Sequence, residues 1–232
     1  MTCRLSISAI ALAACAIASC SPQSPAPQAA DAPVAEAADE GGHGGPLVPK
    51  MSCEPDAMFS AATTKASLIA DHGADVVREE KVPWVDSEMD AIVMWPDDPS
   101  MRAEVLWFGD KSGTPEGARV SGGPESLWVG PEGLLLGSSI ADIERANGGP
   151  FMMTAFENHN HGEVSNFLGG RLAGAENAGC RVSFALDAGP GAPEAAVAAL
   201  SGDSEKSFRS DSAEVLAAQP VIAEMSILFA KP

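Results

Sequence analysis

The densest run of side chains able to do chemistry is Glu157-Asn158-His159-Asn160-His161-Gly162-Glu163. Successive side chains of an extended strand point to opposite faces, so Glu157, His159, His161 and Glu163 would share one side. Two imidazoles and a carboxylate could hold zinc or copper, which makes His159 and His161 the candidate metal ligands. The same residue types build tight turns, and a hairpin turn between two flanking strands is the preferred reading.

Catalytic patterns are missing. The chain has no His-Glu-x-x-His, no Gly-x-Ser-x-Gly and no phosphate-binding loop. Ser210-Asp211-Ser212 reads as a loop or helix cap before Ala213–Ala218, not as a nucleophile with its base. The expectation is a non-catalytic protein with no resident cofactor, zinc or copper at the histidines being the exception. A hydrolase would need a pocket that unites a serine, a histidine and an acid from distant positions.

The cysteines say more about location. The chain opens with one basic residue, Arg4, followed by an uncharged apolar run from Leu5 to Ala18. That run is shorter than the roughly 20 residues a membrane-spanning helix needs, but suits an export signal. It ends in Ile17-Ala18-Ser19-Cys20, which resembles a lipobox, the site where a leader is cut before a diacylated cysteine. The expectation is a leader over 1–19, lipid on Cys20 and attachment to a membrane through that lipid. Ser21, where an inner-membrane retention signal would favour Asp, implies the periplasmic side of the outer membrane by resemblance to lipoprotein sorting.

Cys3 and Cys15 would leave with the leader. Cys53 and Cys180 then remain as an even pair in an oxidising compartment, and a disulfide is the natural reading. Closing so long a loop stabilises by about 4–5 kcal/mol in the chain-entropy picture. No Cys-x-x-Cys is present.

Residues 20–50 are Pro, Ala, Gly and acidic residues with few large apolar ones, the composition of a flexible tether. Residues 51–232 carry enough apolar sequence for one globular domain. The formal net charge of −18, which becomes −19 without Arg4, excludes nucleic acid as an expected partner. It leaves an envelope protein or a small ligand as the expected partner.

Within that domain the pattern alternates helix and strands. Residues 57–72 read as a helix closed by Gly73, followed by strands at Val76–Val82, Ala91–Trp95 and Met101–Phe108. Ala118–Ser121 and Ser126–Val129 are candidate short strands. Ser138 or Ser139 can cap a second helix over Ile140–Asn147, ended by Gly148-Gly149-Pro150. Strands are expected at Phe151–Phe156, Glu163–Leu168, Arg181–Leu186 and Val221–Phe229, with a Pro/Ala-rich excursion over 187–201. Of the four tryptophans, Trp95 and Trp107 lie in strand-like segments, and Trp84 and Trp128 lie nearer to loops. At least three of them are expected in the core, while an exposed one would be a contact hot spot.

The fold class that follows is α+β: an antiparallel sheet with helices packed on one face. Ser67–Gly73 can be laid over Asp142–Gly148, an apolar helical turn, a polar residue and a glycine in each. That match allows two tandem helix-plus-sheet repeats, 51–130 and 131–232.

Leu136-Gly137-x-Ser139-Ile140-x-x-Ile143-x-x-x-Asn147-Gly148-x-Pro150-Phe151, then Phe156 and Gly162, then Gly169-Gly170-x-Leu172, resembles a family of uncharacterised secreted bacterial proteins. The family signature runs G-x-S/T-L-x-E-L-x-x-x-N-G-x-P-F, then G-F-x-W-D-Y-G-G, then G-G-x-L, and it implies an architecture, not a reaction. Asn158–Gly162 stand where that family carries W-D-Y-G-G, so any site built there is altered here. The rhythm of the repeat is also similar to that of β-lactamase inhibitor proteins and of the small lipoprotein of the outer-membrane assembly machinery. Both work by contact, which implies a binding or interaction module as the function.

Overall fold

Among the described residues, three of the four α-helices start where a side-chain hydroxyl takes over an orphaned backbone N–H. Thr64 accepts from the Ser67 amide, and Ser67 in turn accepts from the Thr64 amide, to open α1 (Lys65–His72). Ser139 and Asp142 form the same reciprocal pair at α2 (Ile140–Asn147), and Ser212 accepts from the Val215 amide to open α4 (Ala213–Ala218). The exception is α3 (Glu194–Leu200), which starts after Pro193, a residue with no N–H to satisfy at its own position. Gly73 and Gly148 close the first two helices, each at positive φ, where an L side chain would be strained.

The computed structural model describes residues 48–54, 57–84, 87–107, 114–156, 161–175, 180–203 and 205–230. Nine strands form one antiparallel sheet: β1 (Val77–Trp84), β2 (Ser87–Met94), β3 (Ala103–Leu106), β4 (Gly117–Ser121), β5 (Met152–Thr154), β6 (His161–Asn166), β7 (Cys180–Asp187), β8 (Ser207–Arg209) and β9 (Val221–Phe229). Their order across the sheet is β1-β2-β3-β4-β9-β7-β6-β5-β8. Strands consecutive in the chain are neighbours within β1–β4 and within β5–β7. The two runs meet where β4 pairs with β9.

One large apolar cluster holds the fold together. It unites Val105 and Val120 of the first strands, Phe184 of β7 and Ile227 of β9 with Leu68 of α1 and Ile143 of α2. Leu200 of α3 and Val215 of α4 belong to the same cluster. Among the described residues, no helix is long and apolar enough to cross a membrane.

The N-terminal arm is stitched to the domain before the first helix. The Met51 and Val129 amides donate to the Val129 and Pro49 carbonyls, both at 2.9 Å. Met51 is fully buried, and Phe59 stacks on Trp128 at 5.5 Å between ring centroids. The Cys53–Cys180 disulfide ties this arm to β7, with the two Cα atoms 5.6 Å apart.

Several local readings shift. Residues 57–64 precede α1 instead of forming part of it, because the capping pair sits at Thr64 and Ser67. Ser126–Val129 contributes only a bridge from Val129 to Lys50, not a strand. The Pro/Ala-rich excursion contains α3. Trp128, expected near a loop, is fully buried, and its indole N–H donates to the Met101 carbonyl at 2.8 Å.

Candidate functional site

The sheet has two faces, and one of them carries the large core cluster. Along β7, Val182, Phe184 and Leu186 lie in the core, while Arg181, Ser183, Ala185 and Asp187 between them keep contact with solvent. The pairing register extends this second face across neighbouring strands. Ser183 stands opposite Ser226 of β9, which stands opposite Arg119 of β4, then Glu104 of β3, Val93 of β2 and Arg78 of β1. A parallel row runs Glu163, Ala185, Glu224, Ser121.

Over β1–β3 this face closes on itself. Val82, Met89, Ala91, Val93 and Leu106 form a second, smaller apolar cluster with Trp84 packed against it. Arg119 Nη2 donates to the Pro83 carbonyl at 2.7 Å, although β2 and β3 separate β4 from β1. Three strand spacings are about 14 Å across a flat sheet, farther than an arginine reaches, so the end of the β1–β2 hairpin must curl over the face. The guanidinium also lies 5.5 Å from the Trp84 ring, a cation–π contact.

Beside the apolar patch runs a chain of charges. Arg102 Nη2 donates to Glu80 Oε2 at 3.0 Å and to Glu104 Oε1 at 3.2 Å. Arg119 Nε donates to Glu104 Oε2 at 2.7 Å and its Nη1 lies 3.7 Å from Glu224 Oε2. Glu104 is 7% exposed and carries two arginine partners. Such a buried charge is tolerated only because it is paired on both sides.

Toward β6 the pairing thins out. Burial pushes the Glu224 carboxyl above its ordinary value, with Arg119 and a hydrogen bond from Ser226 pulling the other way. Asp187 is also pushed up by burial, against the pull of His161. The His161 Nδ1 lies against Asp187 Oδ1 across the β6–β7 ladder.

The expected metal cluster is therefore only half visible. His159, Glu157 and Asn158 lie outside the described residues, as does Cys20. His161 opens β6 with its ring against Asp187, and Glu163 faces the same side. Among the described residues, no three His, Cys, Asp or Glu side chains are grouped to hold a metal. The β5–β6 ladder is antiparallel, with 155–160 as its connection.

A cleft on the far side of the fold is a second candidate. Its larger lobe, about 550 Å³, lies between the arm at Cys53, the loop at Gly130–Gly133 and Arg171. A lobe of about 460 Å³ continues past Glu132 and Arg171 toward Asp142. Arg171 donates to the Ala146 and Arg145 carbonyls at the end of α2, at 2.9 and 2.6 Å, an expected seat for a cation. Glu132 has positive φ and lies 3.8 Å from Arg171.

The glycine-rich motifs turn out to surround one side chain. Asn147 Nδ2 donates to the carbonyls of Gly149, Pro150 and Phe167, and its Oδ1 accepts from the Leu172 amide. A Cβ on Gly170 would overlap Asn147 Oδ1, so glycine is required there. Asn-Gly-x-Pro and Gly-Gly-x-Leu are two halves of one clamp that joins the end of α2 to the turn after β6. Ser210, fully buried, pins β8 in the same region: its hydroxyl donates to Glu144 Oε1 at 2.6 Å and accepts from the Phe151 amide. In sequence Ser210 reads as part of a loop or helix cap, and no local signal points to this role.

No family model matches the chain, and no curated protein matches it. A solved structure of the uncharacterized protein yfeY from Escherichia coli is similar, at 15% identity and a TM-score of 0.39. The match covers 74% of this chain and 93% of that one.

Proposed function

We propose that this chain is a non-catalytic binding module of the bacterial envelope, held at the outer membrane by lipid on Cys20, and that it engages its partner through the second-row face of β4, β9, β7 and β6. The observation that carries this reading is the change along that face. It is sealed by the curled hairpin and the Arg119 network over β1–β3, but Ser183, Ala185, Ser226 and Glu163 are left facing solvent. The helices support it from behind, since the buried residues of all four join the core cluster on the other face.

The same reading takes the domain as two helix-plus-sheet repeats. Thr64 and Ser139 cap the two eight-residue helices, and Gly73 and Gly148 close them. Each helix is followed by a four-strand antiparallel run, β1–β4 in one case and β5, β6, β7 and β9 in the other. The last strands of the two runs pair with each other, and α3, β8 and α4 are an insertion before β9. Trp95 and Leu168, both at positive φ, follow the second strand of each run.

The test is photocrosslinking in intact cells from the full, lipidated chain, with the crosslinker placed at Ser183, at Ser226 or at Leu216 on the exposed side of α4. A discrete adduct from Ser183 and Ser226 but not from Leu216 is expected. Adducts from Leu216 alone, or none from the sheet positions, would overturn the assignment.

A further inference from the structure

We infer that the open half of the sheet face is a docking surface for a basic protein segment, with a lysine or arginine side chain seated over Ala185 between Glu163 and Glu224. This inference rests on the binding-module reading and adds the chemistry of the partner. The argument starts from the register. Glu163, Ala185 and Glu224 stand side by side on β6, β7 and β9, all on the solvent side. Strands are spaced about 4.8 Å apart, so the two glutamates flank Ala185 from backbones about 10 Å apart. The methyl group between them leaves a slot that an ammonium or guanidinium can enter while reaching both carboxylates.

The charges around the slot are under-compensated. Glu163 has no ion-pair partner among the described residues, and Asp187 in the next row has only His161. Glu224 shares Arg119 with Glu104, which holds the guanidinium more closely, at 2.7 against 3.7 Å. On the sealed half the acids Glu80 and Glu104 each have an arginine within 3.5 Å. Among the described residues the open half has Arg181 on the same face, four residues from Ala185 along β7, and no lysine or arginine in the row of Glu163 and Glu224 itself. The chain's net charge of −18 would also draw a basic partner toward it over long range.

The probe is a fluorescent peptide of alternating lysine and serine, with a glutamate–serine peptide as control, titrated against the full chain by anisotropy at physiological salt. The Debye length there is about 8 Å, which suppresses attraction by the general field. The Glu163→Gln/Glu224→Gln variant should bind the basic peptide about tenfold more weakly. Glu194→Gln/Glu205→Gln removes the same charge from exposed positions elsewhere and should change affinity less than twofold. Ala185→Arg fills the slot from within and should weaken binding even where Glu224→Gln perturbs packing. Equal losses in both glutamate pairs, or an Ala185→Arg variant that binds like the parent, would overturn the inference. Failure here with crosslinks from Ser183 retained would leave the binding-module reading standing, whereas loss of those crosslinks would remove both.

Discussion

The two ends of this sheet differ in what they do with their second face. Over β2 and β3 that face is as dry as a core: all four residues of β3 are buried, and so are the last four of β2. Over β7 the same face alternates between buried and accessible positions, with serine and alanine where the first half has valine and leucine. One antiparallel sheet therefore supports two outcomes, a closed face and an open one. The side chains decide which, since Leu106, Val93 and Val82 gain by burial. Ser183 and Ser226 gain little.

The largest expected effect breaks the comparison directly. Leu106→Ala should cost about 2–5 kcal/mol, because it empties a buried position on the second face of the closed half. Ser183→Ala, on the same face of the open half, should stay within about 0.5 kcal/mol. Urea unfolding of the two variants gives the contrast, and similar losses would mean that both halves are sealed.

Next in size is Arg119→Met, which leaves Glu104 with Arg102 alone in a nearly dry site and should cost about 3 kcal/mol. Glu104→Leu/Arg119→Leu should recover most of that loss, since removing both charges is far milder than removing one. If the double variant is worse than the single one, the network does more than neutralise Glu104.

Asn147→Ala should cost about 2 kcal/mol by leaving the Leu172 amide without its acceptor and emptying a buried polar site. In the proposed repeat its counterpart is His72, whose ring packs edge-on to Trp95 at 5.5 Å. His72→Ala should cost less, about 1 kcal/mol at most, because packing alone is lost. Thermal denaturation ranks the two, and the reverse order would undo the pairing of these positions.

The smallest effect is acid dependence. Hydrogen bonds from Ser139 and Arg145 hold the Asp142 carboxyl down from 3.8 to about 2. A carboxyl held low in the folded state contributes stability above its ordinary value and loses it as pH falls toward about 2. The cap of α1 uses hydroxyls and does not titrate. Asp142→Asn should therefore flatten the acid limb of the stability curve, by under about 1 kcal/mol, while Ser67→Ala leaves its slope unchanged. Parallel acid limbs in the parent and Asp142→Asn would contradict this.

How far these features are legible in sequence depends on their range. Ser139, Asp142 and Gly148 announce α2, and the unbroken run Val221–Phe229 announces β9, because each signal lies within one element. The start of α1 is hidden by the helix-compatible residues before it, and Ser67 replaces the usual glutamate of the capping pair. The helix α3 is masked by prolines that also suit loops. Trp128 sits in a segment with no periodicity, so nothing local shows that Phe59 stacks on it. The alternation of Arg181, Ser183, Ala185 and Asp187 is visible along β7, but its neighbours are not. Glu163 and Glu224 become a pair only through the strand order β6-β7-β9, which long-range pairing sets.

The most direct test of an open binding face is carbodiimide labelling of carboxylates, compared between the chain in intact envelopes and the purified protein. The account predicts that Glu163 and Glu224 are protected in the envelope while Glu88, exposed on β2, labels equally in both. Equal labelling of Glu163 and Glu224 in the two settings, or protection at Glu88 in their place, would contradict it.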